Sequence, residues 1–359
     1  MKLIAQPADG TAPLLKAITQ AKKSIEIVIF RFDQADVEHA LEEAAERGVF
    51  VHALIAFTNR GGERNLRKLE MRFLKRGITV ARTADDLVRY HGKMMLVDRK
   101  ELYLLTYNFT HLDTGRSRSF GVVTRNRALV QEAARLFECD TKRQTFRSRT
   151  SKMVVSPVNA RKALAAFLKG ARRELLIYDV DLADPEMLGI LEERRQAGVK
   201  IKIIGHAARG SRLNTRALRR MRLHTRVIIR DARQAFLGSQ SLRKVELDSR
   251  REIGVIVGSA KIVSSLMTVF EDDWKASSPQ DVSEKKKVNG RADRAARKVA
   301  KAVEKKLAPR PVIRDVIKTI RDETKVRVDQ AEAEHVVKSA FKKAAKKATA
   351  RIVEEAVAG

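Results

Sequence analysis

The chain is 359 residues long, 44% hydrophobic and 33% charged, which is the composition of a soluble globular protein with enough length for two domain-sized cores. Its apolar runs have the length of strands, and none approaches the roughly 20 residues that a membrane-spanning helix needs, so an integral membrane protein is not expected. The formal net charge of +30 favours a polyanionic partner, either nucleic acid or anionic lipid, although basic charge can also act on solubility alone.

No disulfide, metal centre or targeting segment is predicted. Cys139 is the single cysteine of the sequence and has no partner for an internal disulfide, which fits a reducing cytoplasm. The 7 histidines are scattered and lack the spacing of a metal-ligand cluster. The N-terminus lacks the apolar stretch and cleavage site of a signal peptide. We therefore expect a cytoplasmic protein without metal or cofactor, either free in solution or peripheral on the inner face of the membrane.

The order of elements along the chain indicates two similar halves. In each half a basic turn leads into an apolar strand, over 21–30 in the first and over 171–178 in the second, 150 positions further on. At the same offset, Gly48 and Gly198 each follow a helical pattern and precede a strand. This is the place of a C-cap glycine with left-handed backbone conformation.

Beyond these elements the offset falls from 150 to 133, because the second half has lost 17 residues of connecting segment. The matched positions at the new offset are His91 with His224, Asp98 with Asp231, 120–123 with 253–256, and 137–138 with 270–271. Agreement at two fixed offsets over most of the region before residue 284 indicates an internal duplication.

Each half alternates predicted helices with short β-rich runs, which is typical of an α/β sheet covered by helices. In the second half a helix is predicted over 185–197, with Asp184 as its N-cap and Pro185 at its first position. Strands are predicted over 199–204, 227–230 and 253–257. The two halves are expected to cover 1–149 and 150–283, with one sheet in each.

The segment 284–359 has a different composition, rich in Ala, Lys, Arg, Val and Glu. It holds 22 basic and 11 acidic residues with helical spacing, and Pro309 and Pro311 interrupt the pattern. We predict two or three amphipathic helices, which either bind an anionic membrane surface or nucleic acid, or form a solvated appendage. No obligate protein partner is inferred.

The residues with the clearest chemical meaning begin at His91. The sequence reads His91-Gly92-Lys93, then Asp98 after four more residues, with Asn108 ten positions beyond the aspartate. Alternation along a strand places the histidine and the lysine on the same face. A neutral imidazole can attack phosphorus and form a phosphohistidine, while an ammonium group stabilises charge on the phosphorane oxygens. The pattern therefore predicts phosphodiester chemistry that requires no metal.

The second half supplies the matching set. His224 is followed by Arg226 and Asp231 at the same spacing. A second imidazole can donate a proton to the leaving alkoxide and later deprotonate the incoming acceptor. Arginine in place of lysine retains the charge, but a planar guanidinium differs in geometry and reach. The downstream residues of this copy are Ser239, Ser241 and Glu252.

Together the two copies resemble the phospholipase D superfamily, which is marked by a duplicated His-x-Lys, four residues, Asp, with Gly-Ser-x-Asn downstream. The resemblance covers the region before 284. It implies two pseudo-symmetric α/β/α sandwich halves with one active site between them. It also implies phosphodiesterase activity through a phosphohistidine intermediate, without a cofactor.

The resemblance assigns roles to individual residues. His91 and His224 would act as nucleophile and general acid/base, with His91 favoured as the nucleophile. Glu252 would orient His91 from the other half. Asp98 and Asp231 match the aspartates of the catalytic motif and are expected to be mainly structural or charge-balancing. The residues implied to bind or orient the substrate phosphate are Lys93, Arg226, Asn108, Ser239 and Ser241.

The first half departs from the family pattern at two positions. Leu105 stands where the pattern has glycine, and Ser119 stands where the second half has Glu252. We therefore expect His224 to lack the orienting carboxylate of that matching position, and the site to be asymmetric or weakened. A basic run over 212–222 precedes His224, and it is expected either to guide an anionic substrate into the cleft or to form a solvated helix face.

Three functions remain open. The favoured one is hydrolysis or transfer of phospholipid headgroups, supported by the duplicated motif within one chain and by the sequence context of 238–241. The first alternative is a nuclease or other nucleic-acid-processing enzyme of the same superfamily. The second is a non-enzymatic scaffold that binds polyanions through a degenerate site. An aromatic content of only 5% favours neither an interfacial aromatic belt nor a stacking platform for single strands.

Overall fold

The computed structural model describes residues 1–58, 62–208, 211 and 213–279. All of these residues belong to one compact unit, Met1–Pro279. The predicted helical tail over 284–359 lies outside the described residues, so its helices and its anionic partners stay predictions. Within the described part of the chain, no helix is long and apolar enough to cross a membrane.

The helices and strands of the described region alternate along the chain. The helices are α1 (Ala12–Gln20), α2 (Ala35–Glu46), α3 (Glu63–Lys75), α4 (His111–Gly115), α5 (Arg127–Thr141), α6 (Ala160–Lys169), α7 (Pro185–Gln196), α8 (Lys244–Asp248) and α9 (Ala260–Ala276). The strands are β1 (Lys2–Gln6), β2 (Ser24–Ile29), β3 (Phe50–Ile55), β4 (Thr79–Arg82), β5 (Arg89–Tyr90), β6 (Met94–Val97), β7 (Glu101–Leu105), β8 (Ser117–Thr124), β9 (Met153–Val155), β10 (Glu174–Leu182), β11 (Lys200–Ala207), β12 (Thr215–Ala217), β13 (Arg222–Leu223), β14 (Arg226–Arg230), β15 (Gln234–Gly238), β16 (Arg250–Arg251), β17 (Ile253–Val257) and β18 (Ser278–Pro279).

Each half builds one mixed sheet. The first has the order β1-β8-β7-β6-β2-β3-β4, with β13 paired to β8, and the second has the order β18-β12-β11-β10-β14-β15-β17-β9. In both sheets three parallel strands lie beside three antiparallel strands, β2-β3-β4 beside β6-β7-β8 and β10-β11-β12 beside β14-β15-β17. The predicted α/β architecture with two pseudo-symmetric halves is confirmed.

Strand register follows the two sequence offsets. Ile25 pairs with Val97 in the first sheet, and Leu175 pairs with Arg230 in the second, so an offset of 150 on one strand meets an offset of 133 on its neighbour. The connecting segment that the second half lacks therefore lies outside the paired strands. The duplication extends to individual backbone pairs.

The predicted signals of the second half take their expected places. Helix α7 begins at Pro185, and the Asp184 side chain accepts a hydrogen bond from the backbone N–H of Met187, as an N-cap does. Gly48 and Gly198 have φ angles of +83° and +84°, the left-handed conformation that a residue without Cβ adopts at low cost.

The two sheets share one hydrophobic core. A single buried cluster contains Phe120 and Leu104 of the first half together with Tyr178 and Phe270 of the second. The Phe120 and Tyr178 rings lie 5.8 Å apart between centroids. Burial of each such side chain stabilises the fold by about 1.5–3 kcal/mol, so the contact between the halves is a major part of the core. The predicted boundary at 149/150 falls between α5 and β9.

Candidate functional site

Two short strand pairs cross between the halves and place the histidines. Strand β16 of the second half pairs with β5 just before His91, and β13, just before His224, pairs with β8 of the first half. The backbone N–H of His91 donates to the carbonyl of Arg251 at 2.7 Å, and that of His224 donates to the carbonyl of Arg118 at 3.1 Å. Each histidine is therefore fixed by the backbone of the opposite half.

The first motif differs slightly from the predicted strand. His91 and Lys93 lie in the three-residue break between β5 and β6 rather than on one continuous strand. Their side chains nevertheless meet, with 2.8 Å between Nζ of Lys93 and Nε2 of His91. The crossing backbone pair interrupts the strand, yet the side-chain juxtaposition that alternation predicted is present.

His91 is held on both sides of its ring. Its Nδ1 lies 2.8 Å from Oε2 of Glu252, which is fully buried, and the Phe30 ring packs edge-on at 4.6 Å between centroids. This is the arrangement that the resemblance implied for Glu252. Because the carboxylate accepts from Nδ1, the tautomer that leaves a lone pair on Nε2 is favoured.

The electrostatic surroundings keep His91 neutral. Burial holds the pKa of this imidazole well below its usual value of 6.5, and neighbouring positive charges lower it further. These charges belong to Lys93, Arg226, Arg250 and Arg89. A buried neutral imidazole with its lone pair on Nε2, where it faces Lys93, is the protonation state that a nucleophile requires.

His224 has a carboxylate neighbour that was not expected. Its Nδ1 lies 3.2 Å from Oδ2 of Asp113, a buried residue of α4. The Ser119 hydroxyl donates to the carbonyl of His224 at 3.3 Å. The position equivalent to Glu252 thus supplies no carboxylate to His224, as its sequence indicates, and the acidic group beside Nδ1 comes from helix α4 instead.

Asp113 is itself fixed from several directions. The backbone N–H and the side-chain amide of Asn108 both donate to its Oδ2 at 2.8 Å, and Arg222 contacts its Oδ1 at 2.7 Å. One sequence signal pointed to it. Position 113 lies 133 residues before Glu246, so both copies carry an acidic residue at this place.

The His224 imidazole is also kept neutral. Burial lowers its pKa well below the usual 6.5, and the charges of Arg222, Arg226 and Lys93 lower it further, with a smaller contribution from His91. His91 and His224 are therefore close enough to influence each other. The structure brings the two predicted histidines into one buried site.

Two cations complete the centre of the site. Lys93 is only 1% exposed, and burial lowers the pKa of its ammonium group well below 10.5. Arg226 is 5% exposed; its Nε donates to the hydroxyl of Ser241 at 2.9 Å, while its buried Nη1 has no hydrogen-bond partner among the described residues. An unsatisfied buried donor is costly, which favours an anion as the missing acceptor.

The residues expected to contact phosphate mostly hold other groups. Asn108 donates its amide to Asp113, and Ser241 accepts from Arg226. The Ser239 hydroxyl accepts from the backbone N–H of Ile253 at 3.1 Å and lowers the pKa of the neighbouring Glu252, which burial raises. In this geometry these three residues position the charged groups.

The motif aspartates lie away from the histidines. Asp98 follows the far end of β6 and accepts backbone N–H groups of Lys22, Lys23 and Ser24, while Asp231 does the same for 172–174 after β14. Burial opposes ionisation, but these hydrogen bonds lower the pKa of both carboxyls overall. Their expected structural role fits this geometry, and their place in a catalytic set does not.

The substitution of Leu105 for glycine has a local explanation. In the second half, a Cβ on Gly238 would come within 2.3 Å of Gln240 and 2.6 Å of Phe236, so a side chain does not fit. On the neighbouring strand both halves keep a glycine, Gly121 and Gly254, and a Cβ on Gly121 would come within 2.8 Å of Leu105. The Leu105 side chain therefore lies against the space that Gly121 leaves open.

The basic run before His224 is not a helix. Its described part contains β12 and β13, while residue 212 lies outside the described residues. Arg216 contacts Ser277 away from the histidines, and Arg222 contacts Asp113 inside the site. In the part of the chain that the structure describes, no group of three or more His, Cys, Asp or Glu side chains could hold a metal ion.

Comparison with known proteins places both halves in one family. A family model described as "Cardiolipin synthase, PLD-like domain" matches residues 14–141 and 164–274. One segment contains His91 and the other contains His224. The match covers most of the compact unit and more than half of the chain.

Individual relatives are more distant. A polyphosphate kinase of Prochlorococcus marinus (strain MIT 9313) is 28% identical over 200 residues, which span 50% of this chain and only 27% of that protein. A polyphosphate kinase structure from Porphyromonas gingivalis has a TM-score of 0.65 at 20% identity, covering 76% of this chain and 47% of its own. A phosphatidylserine synthase structure from Haemophilus influenzae Rd KW20 has a TM-score of 0.62 at 10% identity, covering 78% and 87%. These structural likenesses concern the fold.

Proposed function

The chain belongs to the phospholipase D superfamily, in the PLD-like family of the matched description, and we propose that it transfers or hydrolyses phospholipid headgroups through a phosphohistidine, without a metal ion. The observation that carries the proposal is the pairing of two buried imidazoles. Each has its Nδ1 beside a carboxylate of the opposite half, Glu252 for His91 and Asp113 for His224.

In the first step the Nε2 lone pair of His91 attacks phosphorus. The N–P bond forms and the bond to the headgroup oxygen breaks. The positive charge that develops on the imidazole is stabilised by Glu252 on its other nitrogen. Lys93, 2.8 Å from the attacking nitrogen, is placed to hydrogen-bond a nonbridging oxygen of the same phosphate.

His224 acts as general acid and then as general base in this reaction. As the imidazolium, it gives a proton to the departing alkoxide and then, neutral, takes one from the water or alcohol that breaks the N–P bond. Its pKa is low in the free protein because of burial and nearby cations. A bound phosphate offsets those cations and raises the pKa again, so protonation accompanies substrate binding.

Exposed apolar side chains close in sequence to the site residues support a lipid substrate. Val88, three residues before His91, is 42% exposed, and Leu112, adjacent to Asp113, is 47% exposed. Apolar side chains beside a cationic interior suit an amphipathic molecule with a phosphate at its polar end. The fold likeness to a phosphatidylserine synthase is compatible with this class.

A second candidate is transfer at a phosphoanhydride. Arg89, Arg222 and Arg250 add positive charge to that of Lys93 and Arg226 around the two histidines. Such charge density suits a substrate with several phosphates, and the sequence likeness to a polyphosphate kinase points in the same direction.

The test compares wild type with His91→Ala in EDTA on phosphatidylglycerol vesicles, single-stranded DNA, and polyphosphate with ADP. His39→Ala is the matched control, because this histidine is exposed on α2 and pairs with Glu43 of the same helix. Headgroup release or exchange that falls about 1,000-fold in His91→Ala alone supports the proposal. Turnover of DNA or polyphosphate instead assigns the nuclease or phosphoanhydride function, and absence of all three supports the scaffold.

A further inference from the structure

The two halves supply their carboxylates from different positions. Glu252, immediately before β17, reaches His91 across the site. The equivalent position in the first half is Ser119, which is fully buried and whose hydroxyl donates to the carbonyl of His224. One of the two matching positions therefore carries a carboxylate and the other does not.

The acidic residue that reaches His224 occupies a different matched pair. Asp113 of α4 corresponds to Glu246 of α8, and each accepts the backbone N–H of the residue five positions before it. Glu246 then lies 3.1 Å from Arg250 and 4.0 Å from Arg226, and it contacts no histidine in the described part of the chain. The acidic residue of this matched pair therefore meets arginines in the second half and a histidine in the first.

We infer that Asp113 is the positioning residue of His224, fixing which imidazole nitrogen faces the substrate. The inference rests on the proposed function and adds a residue to it. Asp113 positions His224 as Glu252 positions His91, but it lies in helix α4 rather than next to β17.

The contacts of Asp113 explain how it can do so. Asn108 fixes Oδ2 and Arg222 fixes Oδ1, so the carboxylate does not rotate away from the ring. Nδ1 of His224 is buried, and it has no well-aligned hydrogen-bond partner among the described residues; Asp113 Oδ2, 3.2 Å away, is the acceptor within reach. Such a bond becomes aligned when substrate binds.

The Arg222 contact also limits what Asp113 does. A carboxylate shared with a guanidinium stabilises an imidazolium less than an unshared one, so its main effect is on tautomer and orientation. With Nδ1–H directed at Asp113, Nε2 faces the leaving group. Loss of Asp113 therefore impairs proton donation and spares nucleophilic attack by His91.

Leaving-group chemistry separates these effects. We compare the p-nitrophenyl and glycerol esters of the same phosphatidic acid in single-turnover experiments. p-Nitrophenolate departs without a proton, whereas glycerol requires one. Asp113→Asn is expected to slow glycerol release about 30-fold and the first burst of p-nitrophenol less than about 3-fold, because general acid catalysis contributes only to the former.

Two further variants control for structural damage. Glu246→Gln removes the matched acidic residue of the other half and is expected to affect both esters to the same extent. The double variant Asp113→Asn with Ser119→Glu returns a carboxylate to the strand position, and we expect it to recover about 10-fold of the lost glycerol rate.

Equal losses of Asp113→Asn on both esters overturn the inference, since they indicate a structural role alone. A wild type that releases neither p-nitrophenol nor glycerol, or release that persists in His91→Ala, instead refutes the proposed function. In that case NMR of histidine-labelled protein still decides the inference. Asp113→Asn must shift the Nδ1 resonance of His224 and leave that of His91 unchanged, and a His224 resonance that does not move overturns it.

Discussion

The two histidines have equivalent backbone anchors and unequal side-chain support. His91 and His224 donate to the carbonyls of Arg251 and Arg118, which are themselves a matched pair of the duplication. The carboxylates beside the rings come from positions that do not match: Glu252 lies immediately before β17, and Asp113 lies in α4. Duplicated backbone geometry has been retained while the groups that tune each imidazole have diverged.

The difference also shows in the cations. Nζ of Lys93 lies 2.8 Å from Nε2 of His91. Arg226 instead donates its Nε to the Ser241 hydroxyl, and its Nη1 has no hydrogen-bond partner among the described residues. The first half therefore presents a point charge at the reacting nitrogen, and the second presents a fixed planar donor. We expect the two halves to perform different steps of one reaction.

The largest loss of turnover is expected from replacing the histidines, and the two replacements should differ in their effect on the covalent intermediate. His91→Ala is expected to abolish the covalent intermediate and lower turnover by about 1,000-fold or more. His224→Ala should still accumulate phosphorylated protein from the p-nitrophenyl ester, because that leaving group needs no acid. Acid-labile label in quenched protein measures both. Label in His91→Ala together with none in His224→Ala would reverse the assignment.

The second largest effects are expected from replacing the two carboxylates, Glu252 and Asp113, which should slow the two esters differently. Glu252→Gln removes the group that stabilises positive charge on the phosphorylated imidazole, so its burst is expected to slow about 100-fold for both esters. Asp113→Asn should affect only the ester that needs a proton. Stopped-flow release of p-nitrophenol measures the contrast, and an unchanged burst in Glu252→Gln contradicts the unequal division of work.

Exchanging the cations should have a smaller effect. Arg226→Lys makes the second motif match the first but removes the bond to Ser241, so KM is expected to rise about 10-fold with little change in kcat. Lys93→Arg, the reverse exchange, places a larger group where the native side chain is only 1% exposed. We expect it to impair the kinetics more than Arg226→Lys does. If both variants have equal kinetics, the two cations are interchangeable and the comparison fails.

The two histidines should destabilise the folded protein in acid to a similar extent. Both imidazoles have a pKa well below 6.5 in the fold, so below pH 6.5 the unfolded chain binds more protons than the native one. Stability is therefore complete above pH 6.5 and falls by up to about 1.4 kcal/mol per pH unit for each histidine as the pH decreases. Urea unfolding at pH 7.5 and 5.5 should show a smaller loss in His224→Ala than in wild type.

The smallest effect on activity is expected from the motif aspartates. Asp98→Asn and Asp231→Asn weaken equivalent backbone hydrogen bonds and should each lower the free energy of unfolding by about 1 kcal/mol. Turnover per folded molecule, measured well below the unfolding temperature, should stay within about two-fold of wild type. A large loss of turnover in either variant contradicts their structural assignment.

Much of this arrangement could be predicted from the sequence. Periodic apolar segments and two constant offsets gave the duplication and the strand register, because a buried strand tolerates no slip of one residue. Glu252 was identified because the resemblance specifies its place. Both predictions depend on positions that repeat.

The role of Asp113 could not be identified from the sequence, because its matched residue in the second half has different contacts. Asp113 and Glu246 match in sequence and have different partners, which only the packing of α4 and β13 against His224 determines. The basic run was ambiguous for a related reason. Short strands such as β13 are fixed by a partner from the other half, and no local pattern reveals them.

The crossed strand pairs have a consequence for the origin of such a site. If two identical chains formed it, every substitution would appear twice, and a carboxylate moved from strand to helix would move for both histidines. Within one polypeptide each copy can change alone. Fusion therefore allows the proposed division of roles between His91 and His224 to become fixed in the sequence.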